Sequence, residues 1–409
     1  MNPSVAIDVG TASVDLCSWH GGNLLIDKVP FADPISMLPH WLERLSPPPR
    51  FELVLRSTWD GIDGAQEERF RDAAMTFGAR WLRIVAADCP ADPGVAAARQ
   101  AADRLRLGVV WSVEIGATRA TTARVDRRGA AACLRHLPLP ASLKDSPPSG
   151  ESLDPDLRRL FRAERRPDGS PAPSRVPLVC FGGAGPTLAT AIADCCGASS
   201  VVIPVHAGTL ACIGLLISDI VLDFRETWPP RPLNMPFLRQ AFLRLMDSAC
   251  DAVAAEGYDL DDTICDRTVE MAPAGSASAV RVEADALAEA ALLLKRFRQT
   301  WTAAHGSAET NHPIEIRAAA VRATVATTKP PLPLPNLPHG GSNPASASQE
   351  ARTRKSRSAG GCVRRYELPP GATVHGPATI TERHTETRVG AGWSAVVQPT
   401  SDLWLQRED

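Results

Sequence analysis

The sequence predicts an α/β protein whose first part contains two similar halves. An apolar strand that ends in an acid and a glycine turn occurs at Ser4–Asp15 and again at Val110–Thr118. A third segment, Val176–Pro186, runs from an apolar strand into Gly-Gly-Ala-Gly-Pro and then into a helical pattern. Strands that alternate with helices, with glycine turns at the strand ends, are typical of α/β domains.

Periodicity places the elements of the two halves in order along the chain. Short apolar runs predict strands, and apolar residues three and four positions apart predict helices. The expected strands of the first half are Val5–Val9, Val14–Trp19, Leu24–Val29, Phe51–Leu55 and Trp81–Val85, and its expected helices are Ser36–Leu45, Ala65–Phe77 and a segment around Val95–Leu105. The second half begins again with a strand and a turn, and its apolar stretch Ala207–Ser218 predicts a buried helix.

The two repeated strand–turn units carry residue types suited to phosphate and metal. Asp8 stands two residues before Gly10, and Glu114 stands two residues before Gly116, with a threonine nearby in each unit. Glycine lets a hairpin backbone approach phosphate oxygens, and a carboxylate can hold Mg²⁺ through water. One such unit is an ordinary β-hairpin, but two units and a third glycine turn together indicate a nucleotide site.

The third turn, Gly182–Gly185, precedes the helical run Leu188–Cys196. Its glycines allow backbone N–H groups to approach a ligand, and the start of the helix offers a positive dipole end to an anion. A tight strand-to-helix turn without any ligand accounts for this pattern about equally well.

Together the three turns resemble the nucleotide-binding elements of the actin/sugar kinase/Hsp70 superfold. Within that superfold the chain is identified as a member of the hydantoinase A/5-oxoprolinase family, which includes ketone carboxylase subunits. The glycine turn carries this resemblance together with Pro204–Gly208 and Ile213–Leu216. The segment from Tyr366 onward resembles the family's C-terminal part through its Pro-Gly, Gly-Pro-Ala-x-Ile-x-Glu and Gly-Trp sequences.

The resemblance implies an ATP-dependent hydrolase or carboxylase component that acts on a cyclic amide or another carbonyl substrate, beside a B-type partner subunit. ATP and Mg²⁺ are the implied cofactors, because a phosphoryl group is passed to the carbonyl oxygen of the substrate. The resemblance implies that Asp8 and Glu114 are the catalytic and metal-binding residues. It also implies that the phosphates are bound by Gly10, Thr11, Gly116 and Thr118, and that the adenosine and α-phosphate are contacted by Gly182, Gly183, Ala184 and Gly185.

The chain also departs from the family pattern, which supports an alternative function. Glu114 stands in place of an aspartate, and Ala117 adds a Cβ where backbone should approach phosphate. The Pro/Ser/Arg-rich passage Leu139–Pro177 stands in place of a longer Gly-rich segment. The alternative is therefore a catalytically degenerate relative that serves as a scaffold or regulatory subunit.

Two polar residues near the turns have two interpretations each. His206, at the start of the apolar stretch, is expected to be a capping or core histidine, with a proton-transfer role as the alternative. Asp15 is expected to stabilise the first hairpin, with a role as a catalytic base as the alternative.

Five segments are expected along the chain. Residues 1–106 and 107–228 form the two actin-like halves, which enclose a cleft. Residues 229–328 form an α+β segment with helices at Phe237–Glu256 and Asp285–Gly306 and a strand at Ile314–Val325. Residues 329–361 are Pro-, Ser- and Ala-rich and predict a flexible linker, and residues 362–409 predict a small β-rich module.

Composition argues against several other classes of protein. The formal net charge is −2 and there are only 2 Tyr, so neither a basic field nor an aromatic platform favours nucleic acid. No apolar stretch is long enough to span a bilayer, and no leader pattern is seen, so no membrane association is expected. The 10 Cys include no Cys-x-x-Cys pair and predict buried, reduced thiols in a cytoplasmic protein.

Overall fold

The computed structural model describes residues 4–10, 12–31, 34–57, 64–86, 93–116, 119–126, 131–138, 176–255, 258, 260–285, 289–305, 312–326 and 361–408. Two compact units divide the described residues: those within 4–138, 176–218 and 361–408 belong to the first, and those within 219–326 to the second. The expected linker, apart from Gly361, lies outside the described residues, as do Thr11, Ala117 and Thr118. The predicted linker and domain boundaries therefore stay predictions.

The first half of the first unit is built on a five-stranded sheet. Its strands are β1 Ser4–Val9, β2 Ser13–His20, β3 Asn23–Pro30, β4 Phe51–Ser57 and β5 Ala79–Ala86, in the spatial order β3-β2-β1-β4-β5. β1, β4 and β5 are parallel, and β2 and β3 are antiparallel additions at the edge. One face buries Ile7, Leu16 and Leu53 against the helices α1 Pro34–Leu45 and α2 Gly64–Thr76.

The second half repeats this arrangement. Its strands are β6 Val109–Ile115, β7 Arg119–Asp126, β8 Ala131–Pro138, β9 Leu178–Phe181 and β10 Ser200–Ile203, in the spatial order β8-β7-β6-β9-β10. β6, β9 and β10 are parallel while β7 and β8 are antiparallel, as in the first sheet. The shared strand order confirms the α/β class and the two related halves that the sequence predicts.

Two helices fill the core between the two sheets. They are α3 Pro93–Arg104 and α5 Leu210–Ile217, and a third helix, α4 Gly185–Cys196, follows the glycine turn. Every residue of α5 is buried, as expected for this apolar stretch, although its first turn, Ala207–Thr209, is a 3₁₀ helix. A Cβ on Gly214 would lie 2.0 Å from the carbonyl oxygen of Pro93, so only glycine permits this approach of α5 to α3.

The C-terminal part is β-rich, as expected, but it does not stand apart from the second half. Its strands are β15 Cys362–Arg364, β16 Thr373–His375, β17 Ala378–Thr381, β18 Glu386–Val389, β19 Trp393–Val397 and β20 Leu403–Arg407. β20 pairs with β10, and β19 and β16 follow, so the second sheet has eight strands. This pairing covers the backbone edge that β10 would otherwise expose.

The second unit is an antiparallel sheet with two helices. Its strands are β11 Ile220–Pro232, β12 Thr263–Pro273, β13 Val280–Glu283 and β14 Ile314–Val325, in the order β11-β14-β12-β13, and its helices are α6 Met235–Ala255 and α7 Ala290–His305. The buried stripe of α6 includes Leu238, Ala241, Leu245 and Ala249, at the spacing of an amphipathic helix. Within the described part of the chain, none of the helices has the length and apolar character that crossing a bilayer requires.

Candidate functional site

The two hairpin turns that follow β1 and β6 close in the same way. The backbone N–H of Gly10 donates to the carbonyl oxygen of Ser13 at 3.0 Å, and that of Gly116 donates to Arg119 at 2.9 Å. A Cβ on Gly10 would lie only 3.0 Å from the same Ser13 oxygen. Asp8 and Glu114 therefore occupy equivalent positions in the duplicated fold, each on a central strand and two residues before the turn.

A single arginine joins these two acids. The Arg56 Nε and Nη2 atoms donate to the two carboxylate oxygens of Asp8 at 2.9 and 2.7 Å, and Nη2 also donates to Glu114 Oε1 at 3.0 Å. Asp8 belongs to the first sheet and Glu114 to the second, so the guanidinium links the two halves. Arg56 is only 2% exposed and Asp8 7%, so this link is shielded from water. Asp8 and Glu114 therefore lie close together in the folded chain.

Arg56 and Asp8 belong to a row of charged residues that crosses the first sheet. Register pairs Lys28 with Asp15, Asp15 with Asp8, and Asp8 with Arg56 on four neighbouring strands. Lys28 Nζ lies 3.0 Å from Asp15 Oδ1 and donates to the carbonyl oxygen of Gly208 at 2.8 Å. Burial raises the pKa of Asp15 to about 7 and the Asp8 charge adds to this shift, although Lys28 acts in the opposite direction.

The glycine turn packs directly against the end of β6. Gly182 has a φ of +88°, and a Cβ there would lie 2.5 Å from the carbonyl oxygen of Ile115. The Gly182 N–H donates to Ala207, and the Ala184 N–H donates to Ile115. These two amide groups serve the fold, whereas a Cβ on Gly183 would meet no atom within 4 Å. Open space beside the turn therefore lies at Gly183.

The start of α4 has the local features of an anion site. Ala184 provides no side-chain cap, the first turn contains no acidic residue, and Pro186 lies in that turn. The first N–H groups of a helix have no partner within the helix, and the dipole makes this end positive. The arrangement therefore suits a phosphate group beside Gly185.

A C-terminal loop, residues 382–385, lies over the glycine turn. Thr385 Oγ1 donates to the carbonyl oxygen of Gly183 at 3.2 Å, and Thr187 Oγ1 donates to that of Glu386 at 3.0 Å. A Cβ on Gly208 would lie 2.7 Å from the carbonyl oxygen of His384. On the other side of the loop, Arg383 approaches Asp27 of β3 at 3.5 Å. The loop therefore contacts residues of both halves.

Comparisons with known proteins agree with this architecture. A family model described as hydantoinase/oxoprolinase matches residues 170–224, which include the glycine turn, α4 and α5. Over these residues the chain is similar to the hydantoinase/oxoprolinase family. A nucleotide-free structure of acetone carboxylase matches it with a TM-score of 0.61 and 11% identity, covering 99% of this chain and 100% of that one. The ATP-dependent caprolactamase from Pseudomonas jessenii matches with a TM-score of 0.55 and 14% identity, covering 92% and 79%. At such low identity, these two matches show that the chain shares the fold of these proteins and nothing further.

His206, at the start of the apolar stretch, has an unusual backbone conformation. It adopts a left-handed conformation with φ of 60° at the N-cap position of the 3₁₀ turn, and its side chain makes no cap hydrogen bond, so the expectation of a capping or core histidine stays a prediction. Burial lowers the pKa of His206 to about 4, and the charges of Arg365 and Arg104 add to this. The imidazole is therefore neutral at neutral pH.

Sequence reasoning missed Arg56, although its strand carries a signal. In Phe-Glu-Leu-Val-Leu-Arg-Ser, Arg56 is the one basic residue at the end of an apolar strand that pairs with β1. A charge at the end of a buried strand needs a partner, and Asp8 is its register neighbour. Sequence reasoning also missed Arg365, which is buried and donates to the carbonyl oxygens of Ile203, Pro204 and Ser401.

The residues present do not fit a Mg²⁺ ion held directly by Asp8 and Glu114. Both oxygens of Asp8 and one oxygen of Glu114 accept hydrogen bonds from Arg56, which lies between them. Mg²⁺ requires about six oxygen ligands close to octahedral geometry. In the described part of the chain, no group of three or more His, Cys, Asp or Glu side chains is placed to hold a metal ion. The catalytic roles of Asp8 and Glu114, and the ligand roles of the turn residues, stay predictions.

Proposed function

We propose that this chain is the nucleotide-binding component of an ATP-dependent enzyme that activates a cyclic amide or another carbonyl compound. The γ-phosphoryl group of ATP is transferred to the carbonyl oxygen of the substrate, and ADP leaves. The carbonyl carbon is then open to attack; for a cyclic amide, one water opens the C–N bond and a second water releases phosphate. A B-type partner subunit is part of this proposal.

The observation that supports the proposal best is the convergence of three turns in one unit. Gly10 and Gly116 end equivalent strands, and the Gly182–Gly185 turn packs on Ile115, next to Glu114. The open space at Gly183 and the uncapped start of α4 suit the phosphates of a nucleotide. The two similar structures are named for ATP-dependent reactions of acetone and of a lactam, which supports a carbonyl substrate.

One observation favours the second candidate, a scaffold or regulatory subunit without turnover. Arg56 engages the two acids to which the resemblance gives catalytic roles, and a buried guanidinium with three such contacts is costly to move. A chain of this kind binds the nucleotide and supports a partner, but it transfers no phosphoryl group.

Calorimetric titration with ATP tests the proposal. We expect the native chain to bind ATP and Gly183→Val to bind at least tenfold more weakly, because the added side chain fills the space beside the turn. Gly108→Val is the matched control, since a Cβ at Gly108 also meets no atom within 4 Å and Gly108 immediately precedes β6. Equal affinities in the two variants, or no ATP binding by the native chain, would contradict the proposal.

Phosphate release separates the two candidate functions. Release from ATP that depends on an added lactam or ketone, with or without a partner subunit, supports the enzyme. Nucleotide binding without phosphate release from ATP, whichever lactam or ketone is added, supports the scaffold.

A further inference from the structure

Asp8 and Glu114 share one cation that is part of the polypeptide. The Arg56 Nη2 atom alone accounts for one contact to each acid, at 2.7 and 3.0 Å, so the two carboxylates converge on the same point. That point lies between the central strands of the two sheets. A divalent ion held by both acids would have to occupy it.

The charges around this point make such an ion unfavourable. The trio of Asp8, Arg56 and Glu114 carries one formal negative charge, and the nearby pair of Lys28 and Asp15 is neutral when both are charged. Adding Mg²⁺ would turn this negative charge into a buried excess of one positive charge, and it would place the double charge of the ion against a buried guanidinium. Two like charges repel strongly where the surroundings exclude water.

Displacement of Arg56 by the ion is also unfavourable. The side chain is 3% exposed and starts from β4, a strand that lies between β1 and β5 in the sheet. Arginine stays charged at every pH that proteins tolerate. A guanidinium pushed off both acids would remain buried without its carboxylate partners, which is the costly way to break a buried ion pair.

We propose that Arg56 is a fixed internal cation that takes the position of a metal ion between Asp8 and Glu114 and excludes divalent ions from it. It also holds the two halves together at the strand ends. Where the proposed nucleotide site is correct, on which this last step rests, ATP binds with nearly the same affinity in excess chelator and in millimolar Mg²⁺, within about threefold.

Titration with Mn²⁺ in the absence of nucleotide tests the metal part by itself. Electron paramagnetic resonance counts the bound ions, and thermal unfolding reports stabilisation by binding to the folded state. We expect no Mn²⁺ site tighter than millimolar in the native chain. Arg56→Ala should unfold at a lower temperature, gain one Mn²⁺ site at least tenfold tighter, and recover much of its lost stability as Mn²⁺ is added.

Arg44→Ala is the matched control. Arg44 is also paired with an aspartate, Asp27, but that pair is at the surface and involves one carboxylate, so its removal should create no Mn²⁺ site. If Arg56→Ala does not fold, the native chain still decides the question. A native Mn²⁺ site tighter than millimolar that disappears in Asp8→Asn would overturn the proposal, and so would a folded Arg56→Ala without any gain in Mn²⁺ affinity. Absence of ATP binding would refute the proposed function and leave the metal result intact.

Discussion

Asp15, a buried acid paired with Lys28, makes the stability of this protein depend on pH in an unusual direction. Burial raises the pKa of Asp15 from 3.8 to about 7 in the folded chain, so the folded state keeps a proton that the unfolded state has already lost. The stabilising contribution of this group is therefore complete below pH 3.8 and is lost as the pH rises toward 7. Asp15→Asn removes the titrating proton with little change of shape.

The size of the effect follows from the two pKa values. Each unit of pKa corresponds to about 1.4 kcal/mol, so the full shift corresponds to about 4 kcal/mol of unfolding free energy. Between pH 5 and 7.5 the native chain should lose about 2.5 kcal/mol relative to Asp15→Asn. Over the same range His206 acts in the opposite sense. Because its folded pKa is about 4, its contribution to the unfolding free energy is complete above pH 6.5 and falls by about 2 kcal/mol on acidification to pH 5.

Urea unfolding at several pH values, followed by tryptophan fluorescence, measures both effects. The native chain should show a weak dependence on pH from these two groups because they nearly cancel. As the pH rises, Asp15→Asn should become more stable relative to the native chain, and His206→Asn should become less stable relative to it.

Asp27→Asn on the next strand is the control. Although burial acts the other way, the hydrogen bond from Arg44 holds the pKa of Asp27 below its usual value, so this variant should show no relative gain with rising pH. A constant difference between the native chain and Asp15→Asn from pH 5 to 7.5 would refute the assignment of a raised pKa to Asp15.

Two further pairs of substitutions test contacts that hold the site in place. Arg365→Ala removes the donor to three carbonyl oxygens and to Glu382, so it should lower the unfolding free energy by about 3–5 kcal/mol. Arg364→Ala, at an exposed position, is its control and should change the unfolding free energy by less than about 0.5 kcal/mol. Similar losses in the two variants would contradict this expectation. Gly182→Ala should lower the unfolding free energy by about 1–3 kcal/mol because Gly182 has a φ of +88° and contacts Ile115. Gly183→Ala is its control and should leave the unfolding free energy nearly unchanged. Thermal unfolding of the two variants measures the difference.

Local patterns predict most of the first unit because its strands and turns follow simple rules. The run Phe51–Leu55 and the neighbouring strands are recognised by apolar periodicity, and Gly182 by its place between a strand and a helix. The expected helix Asp285–Gly306 is observed only from Ala290, since apolar spacing fixes the middle of a helix better than its ends.

The contacts that decide the site are not local. Arg56 and Glu114 belong to different sheets and are 58 positions apart in sequence, and Thr385 and Gly183 are 202 positions apart. No periodicity encodes such pairs, because a charged residue near a strand end is compatible with both a solvated and a buried position. Only the tertiary arrangement selects the buried one.

Glu114 and Arg56 explain each other better than either fits a metal. For a metal ligand, replacement of aspartate by glutamate moves the carboxylate by about one bond length and is a defect. For an acid that must reach a guanidinium anchored on the other sheet, the extra methylene is an advantage, and the observed contact is 3.0 Å. Glu114 and Arg56 therefore form one feature, a buried ion pair that joins the two sheets.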